Sequence, residues 1–233
     1  AGTDKTVNIT GIAISGGDAA NYDISTTEVT ATADITAKAI TAIGVTASGK
    51  VYNADATATI NTASAVITGG AAADDDKKYY TGDDVTLNVS SAAGAFANKN
   101  IGTNLSVTVS GLSLTGEDST NYMLSDASNA EADITAKPIS ISGITAADKV
   151  YDANTTATTD ITGAQGWIAD DAFSVSATGL FDNKNIGTDK TVTLTSSYTG
   201  ADVGNYTITD QATTTADITA KPISISGITA ADK

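Results

Sequence analysis

Apolar and polar residues alternate strictly over short runs throughout the chain. Ile139-Ser-Ile141-Ser places isoleucines on one face and serines on the other. Val85-Thr-Leu87-Asn-Val89, Val107-Thr-Val109, Phe173-Ser-Val175-Ser and Val192-Thr-Leu194-Thr share this period of two. Alternation bounded by Gly, Asn and Asp predicts half-buried strands. Thr suits the outward positions because its β-branch favours extended backbone. No segment carries a capped 3.6-residue period, and the Ala-rich stretch Ala92–Asn98 reads as a short turn. The expected fold is all-β: a tandem array of small antiparallel β-sandwich (Ig-like) modules joined head to tail, with cores of Ile, Val, Leu, Ala and recurrent tyrosines.

The tandem arrangement follows from internal repetition. Ala132–Lys149 and Ala216–Lys233 share all 18 residues, ADITAKPISISGITAADK, and Ala33–Lys38 is a partial copy. Asn-Tyr recurs at Asn21-Tyr22, Asn121-Tyr122 and Asn205-Tyr206; NKNIGT recurs at Asn98–Thr103 and Asn183–Thr188; Lys-Val-Tyr recurs at Lys50–Tyr52 and Lys149–Tyr151. The opening AGTDKTV matches IGTDKTV at Ile186–Val192. Lys38, Lys137 and Lys221 close equivalent ADITAK copies, 99 and 84 residues apart. The division expected is therefore 1–38, the back part of one repeat; 39–137, a full repeat with an insertion near 63–84; 138–221, a second full repeat; and 222–233, the first strand of another. On this reading the chain is a window on a longer array, and 1–38 is less stable or borrows a neighbour's strand. Pro138 and Pro222 stand at equivalent joints and predict short, stiff connections; Ala39 replaces proline at the first joint.

Composition narrows the chemistry. The 233 residues contain no Cys, His or Arg, and 12 Lys against 27 acids give a net charge of -15. This excludes disulfides, thiolate zinc sites, imidazole bases and guanidinium forks. The negative charge disfavours nucleic acid and anionic membranes, and no apolar run is long enough to span a bilayer. A folded chain is expected nonetheless, because the apolar residues are patterned rather than scattered.

Four ordered motifs carry a family resemblance: KVYDANTTAT (Lys149–Thr158), FDNKNIGTDKTVTL (Phe181–Leu194), YTGADVGNYTIT (Tyr198–Thr209) and ADITAKPI. Together they resemble the YDG and MBG repeats of large bacterial surface proteins similar to filamentous haemagglutinin. The resemblance implies a secreted, multi-repeat adhesin stalk without catalytic activity. One departure is local. The usual Tyr-Asp-Gly is Tyr151-Asp152-Ala153 in one repeat and Tyr52-Asn53-Ala54 in the other, and alanine does not reach positive φ as cheaply as glycine.

The candidate sites are read against this frame. The D-x-x-N-Y motif (Asp18/Asn21/Tyr22, Asp118/Asn121/Tyr122, Asp202/Asn205/Tyr206) recurs once per module, as a fold determinant should: Asp and Asn bind backbone amides in a tight turn and Tyr enters the core with its hydroxyl bonded back. Tyr52 and Tyr151 are read as core anchors rather than carbohydrate platforms. Trp167 is either an exposed binding aromatic or the cover of a module end. Asp74-Asp75-Asp76, Asp83-Asp84 and Asp170-Asp171 are candidate Ca²⁺ ligands, the last two pairs best because they recur at comparable positions; no D-x-D-x-D-G loop accompanies them. Lys99 and Lys184 are candidates for an isopeptide bond, which requires a buried carboxyl to move protons. Tyr79 and Tyr80, beside Lys77-Lys78, make the 63–84 loop a candidate contact patch.

The function expected is that of non-enzymatic stalk or spacer repeats of a secreted or surface-bound bacterial adhesin, filament- or matrix-forming. Neighbouring repeats of the same chain are the expected partners, with self-association into fibres through exposed strand edges as a further possibility. The alternative is a glycan- or protein-binding module using the 63–84 loop.

Overall fold

The computed structural model describes residues 1–70, 76–125 and 130–231, and among these the chain is almost entirely β. The only helical elements among the described residues are three single 3-10 turns, Ala19–Asn21, Ser119–Asn121 and Val203–Asn205, one in each D-x-x-N-Y motif. Ala93–Phe96 is a strand, not the turn its alanines suggested. Its Gly94 lies against Ile60 and Val107, where an added Cβ would approach Ile60 Cγ2 to 2.4 Å. Small residues here serve close strand packing.

The chain divides into two compact units. The first comprises residues 1–49, 57–97 and 104–132; the second comprises 50–56, 98–103 and 133–233. Two short stretches that flank the middle of the first repeat thus count with the second unit.

In the first unit, strands Thr46–Ser48, Thr57–Asn61, Ala93–Phe96, Gly102–Ser110 and Ala130–Thr135 follow one another in a single sheet; the last two run on through the division. The first three of these pair antiparallel, as does Ala93–Phe96 with Gly102–Ser110. Lys38–Thr41 pairs in parallel with Tyr122–Ser125, and a small core of Ile40, Val85 and Tyr122 forms there. Gly2–Ile9 and Val29–Ile35 make an antiparallel pair, whose residues are exposed apart from half-buried Gly2.

The second unit repeats the plan. Thr156–Ala157, Ser174–Phe181, Gly187–Thr199, Thr213–Thr219 and Lys149–Val150 form one sheet, with Lys149–Val150 joining in parallel. Lys137–Ser140 pairs in parallel with Tyr206–Thr209, in the register of its counterpart: Lys137 opposite Tyr206, as Lys38 is opposite Tyr122. Lys50–Val51 adds in parallel to Ile134–Thr135.

The expectation of purely antiparallel modules is therefore corrected: sheets are mixed, and each repeat makes parallel pairs at its beginning. Parallel neighbours need a long crossover, and here nearly the whole repeat serves as that connection. The residues after Thr219 up to Ala231 form no strand, although a first strand was expected there. The same 18 residues bury Ile139 (7% exposed) when an Asn-Tyr strand is alongside, and leave Ile223 85% exposed where none is. The sequence alone does not decide this strand; its parallel partner does.

Candidate functional site

The most connected cluster of polar side chains lies within the second unit, around Asp171. Asp171 is buried at the start of the strand region led by Phe173. Its carboxylate accepts hydrogen bonds from the Tyr52 hydroxyl (2.9 and 2.8 Å to the two oxygens), from the Tyr206 hydroxyl, and from the Lys99 ammonium at 2.6 Å. Lys99 also pairs with Asp202 at 3.0 Å. The two tyrosine rings meet edge to face with centroids 5.4 Å apart, and Phe173 meets Tyr206 edge to face at 5.6 Å. Beside them the Ile101 amide donates to Asn205 Oδ1 and Asn205 Nδ2 donates to Asn100 Oδ1, each at 3.1 Å.

Local sequence explains each placement. Tyr52 follows the two-residue strand Lys50–Val51, and its amide donates to Thr135 O at 2.9 Å. The turn after it is held by Lys50, whose ammonium folds back onto Asp55 Oδ1 at 2.8 Å and Asp55 O at 2.9 Å. Asp202 takes the Ala172 amide at 2.8 Å. Gly200 makes that approach possible: its φ is +126° and a Cβ there would lie 2.0 Å from Ala172 O. Tyr206 is the residue after the 3-10 turn Val203–Asn205, so its ring enters the core while its hydroxyl receives the Ile168 amide at 3.2 Å.

Electrostatics keep this cluster charged and bonded. Burial alone would raise the Asp171 carboxyl, but hydrogen bonds from Lys99, Tyr206 and Tyr52 outweigh it and hold it below the ordinary carboxylate range. The Lys99 ammonium is pushed up by Asp171 and Asp202. The Tyr206 phenol, desolvated and facing Asp171, is pushed up to about 12, and Tyr52 is raised for the same reasons. Lys99 is held protonated and Asp171 ionised, which makes them an ion pair rather than an amine and an acid ready to condense.

The first unit holds a counterpart. Tyr122 donates to Asp83 at 2.5 Å and receives the Tyr80 amide at 2.9 Å; Asp118 takes the Asp84 amide at 2.9 Å. Asp83 thus corresponds to Asp171, and Asp84 to Ala172. The two acidic pairs are offset by one position, not equivalent as their spelling suggested. Asp170 is exposed and Asp171 buried. Among the described residues no group of three or more carboxylates is placed to hold a metal ion, so Asp83, Asp84, Asp170 and Asp171 form no calcium site there; Asp74 and Asp75 lie outside the described residues.

The other singled-out residues fall as follows. Tyr79 and Tyr80 form a short strand pairing with Gly69–Gly70 and pack, half-buried, on the Ile40–Val85–Tyr122 core; Lys38 lies 4.1 Å above the Tyr80 ring. Residues 71–75 of that loop lie outside the described residues. Trp167 stacks on Phe173 at 4.7 Å. Tyr151 is half-buried and Lys184 exposed. Tyr22 is 70% exposed, whereas Tyr122 and Tyr206 are buried, so the first D-x-x-N-Y copy, with Asp18 and Asn21, sends no tyrosine into a core. Lys99 as the ion-pair partner of Asp171 was not expected; the NKN spelling shared by both repeats was its one trace in the sequence.

An all-β chain that repeats one arrangement of parallel strands and buried Asp–Tyr pairs is a modular repeat protein. A model of the YDG domain matches residues 36–130 and again 135–216, and the chain belongs to the YDG domain family. No curated protein and no solved structure matches it.

Proposed function

We propose that these are non-enzymatic spacer repeats of a large secreted or surface-bound bacterial adhesin of the filamentous-haemagglutinin type, built of sandwich-like modules joined head to tail. One observation carries the reading. Tyr52, Lys99, Asn100 and Ile101 come from the first matched repeat, yet they bond Asp171, Asp202 and Asn205 of the second. A repeat that gives side chains to the next one's core couples neighbours, which is what a load-bearing or distance-setting array needs. The buried carboxylate at the centre is fully bonded and faces no cavity of its own, an arrangement suited to structure rather than to turnover. The acidic, Thr-rich surface would keep such an array soluble outside the cell.

The alternative, a glycan- or protein-binding patch on the 63–84 loop, draws less support, because Tyr79 and Tyr80 are engaged with the core. Solution scattering tests the spacer reading. A compact particle of this length would have a radius of gyration of about 17 Å. A value well above that is expected, and a value at that figure would refute the spacer.

A further inference from the structure

The filled cluster around Asp171 has an open counterpart. In the first unit a cavity of about 510 Å³ is lined by Ile35, Thr36, Lys38, Tyr80, Asp83 and Tyr122. By repeat position these correspond to Ile134, Thr135, Lys137, Ile168, Asp171 and Tyr206. In the second unit the corresponding space is filled. Lys50–Val51 lies parallel to Ile134–Thr135, the Tyr52 amide donates to Thr135 O, and the Tyr52 phenol reaches both oxygens of the carboxylate. Ile134 is 2% exposed under that strand; Ile35 is 59% exposed.

A second, independent correspondence supports the match. Asn205 Oδ1 accepts the Ile101 backbone nitrogen, and Asn121 Oδ1 accepts the Ala1 nitrogen, which stands at the same repeat position. Half of the arrangement is thus already made in the first unit. The half not made is the Lys-Val-Tyr strand.

We infer that the Ile35–Thr36 edge and the Asp83–Tyr122 cavity form an acceptor for an extended Lys-Val-Tyr strand of another YDG repeat, added parallel to Val29–Ile35 with its phenol donating to Asp83. The inference rests on the spacer reading only for the source of the strand. The recognition is strand addition: main-chain hydrogen bonds along the edge give affinity, and a side-chain pocket gives specificity. The specificity is for a phenol rather than a phenyl ring. Once the strand covers the site, Asp83 loses water, and a ring without a hydroxyl leaves that carboxylate short of a donor. Lys38 does not substitute for it, because its ammonium is held by Asp76 at 2.8 Å and by the Tyr80 ring.

The test uses the whole chain and a capped synthetic peptide of residues 148–156, DKVYDANTT, titrated by isothermal calorimetry and amide chemical shifts. Saturable one-to-one binding is expected, with shifts at Ile35, Thr36 and Tyr122. A Tyr→Phe peptide and the Asp83→Asn chain should each weaken binding by about 10-fold, the loss of one charge-assisted hydrogen bond. Ile35→Glu, at an exposed position that folding tolerates, should weaken it similarly, while Asp171→Asn leaves it unchanged. No binding at millimolar peptide, or equal binding of the Phe peptide or a scrambled one, overturns the inference. An extended particle in scattering that binds no peptide overturns the acceptor and leaves the spacer standing; a compact particle that binds does the reverse.

Discussion

At the scale of single residues, the turn after Lys-Val-Tyr shows how a broken motif keeps its geometry. Ala54 and Ala153 stand where the family pattern has glycine, and both retain positive φ, +66° and +70°. The left-handed region costs a non-glycine residue roughly 1–2 kcal/mol. The strain is held by a local cradle. Lys149 Nζ donates to Asp152 Oδ1 at 2.9 Å and to Asn154 O, Asn154 Oδ1 and Thr156 O at 3.0 Å each, closing the loop from inside. Asp152 is correspondingly held below the ordinary carboxylate range, chiefly by Lys149. Ala153 is exposed, so Ala153→Gly removes strain and loses no packing. Glycine's greater freedom in the unfolded chain offsets part of the gain. The expected net stabilisation is about 0.5–1 kcal/mol, read from urea midpoints of the two proteins.

At the scale of elements, the strands themselves were legible in the sequence and their partners were not. Period two announced Ser174–Phe181 and Gly187–Thr199, and the Asn-Tyr repeats announced two buried tyrosines. Nothing local marks Lys38–Thr41 as parallel to Tyr122–Ser125, because that pairing is chosen by packing across some 80 residues. The carboxylate that meets each tyrosine was misaligned for a related reason: adjacent aspartates look alike in one dimension, and only burial separates Asp170 from Asp171. The Asp–Tyr pairing has a pH signature. The Tyr206 phenol is raised from about 10 to about 12, so the folded chain favours its protonated form. Its contribution is complete below pH ~10 and is lost as pH rises through about 12. Asp171 is shifted the other way: its contribution is complete above the ordinary carboxylate value and is lost as acid protonates it. Stability should therefore be flat through neutral pH and fall on both sides. Tyr206→Phe should flatten the alkaline fall, measured as urea midpoints between pH 9 and 11.5; an unchanged alkaline slope would place the titrating group elsewhere.

At the scale of the whole molecule, the division into units cuts across the repeats, and this has a consequence for unfolding. Residues 50–56 and 98–103 belong to the second unit although the first repeat encodes them. Stability in such arrays is a sum of unit terms and nearest-neighbour terms, and the Asp171 cluster is where the second unit gathers side chains from both repeats. Asp171→Asn removes the negative charge that Lys99 pairs with and weakens the acceptor of two buried hydroxyls, a loss of about 2–4 kcal/mol by the usual strength of hydrogen bonds to charge. Asp83→Asn perturbs one tyrosine contact in a half-open site and should cost about 1 kcal/mol. The chain carries its own reporter: the single tryptophan, Trp167, stacks on Phe173 beside Tyr206 in the second unit. Tryptophan fluorescence therefore follows the second unit, while far-ultraviolet circular dichroism follows strands in both. With Asp171→Asn the fluorescence transition should move to lower urea by more than the dichroism transition. With Asp83→Asn the dichroism should move while the fluorescence midpoint stays in place. Equal shifts of both signals in both variants would mean that the two units unfold as one, and that the coupling between repeats is stronger than either unit alone.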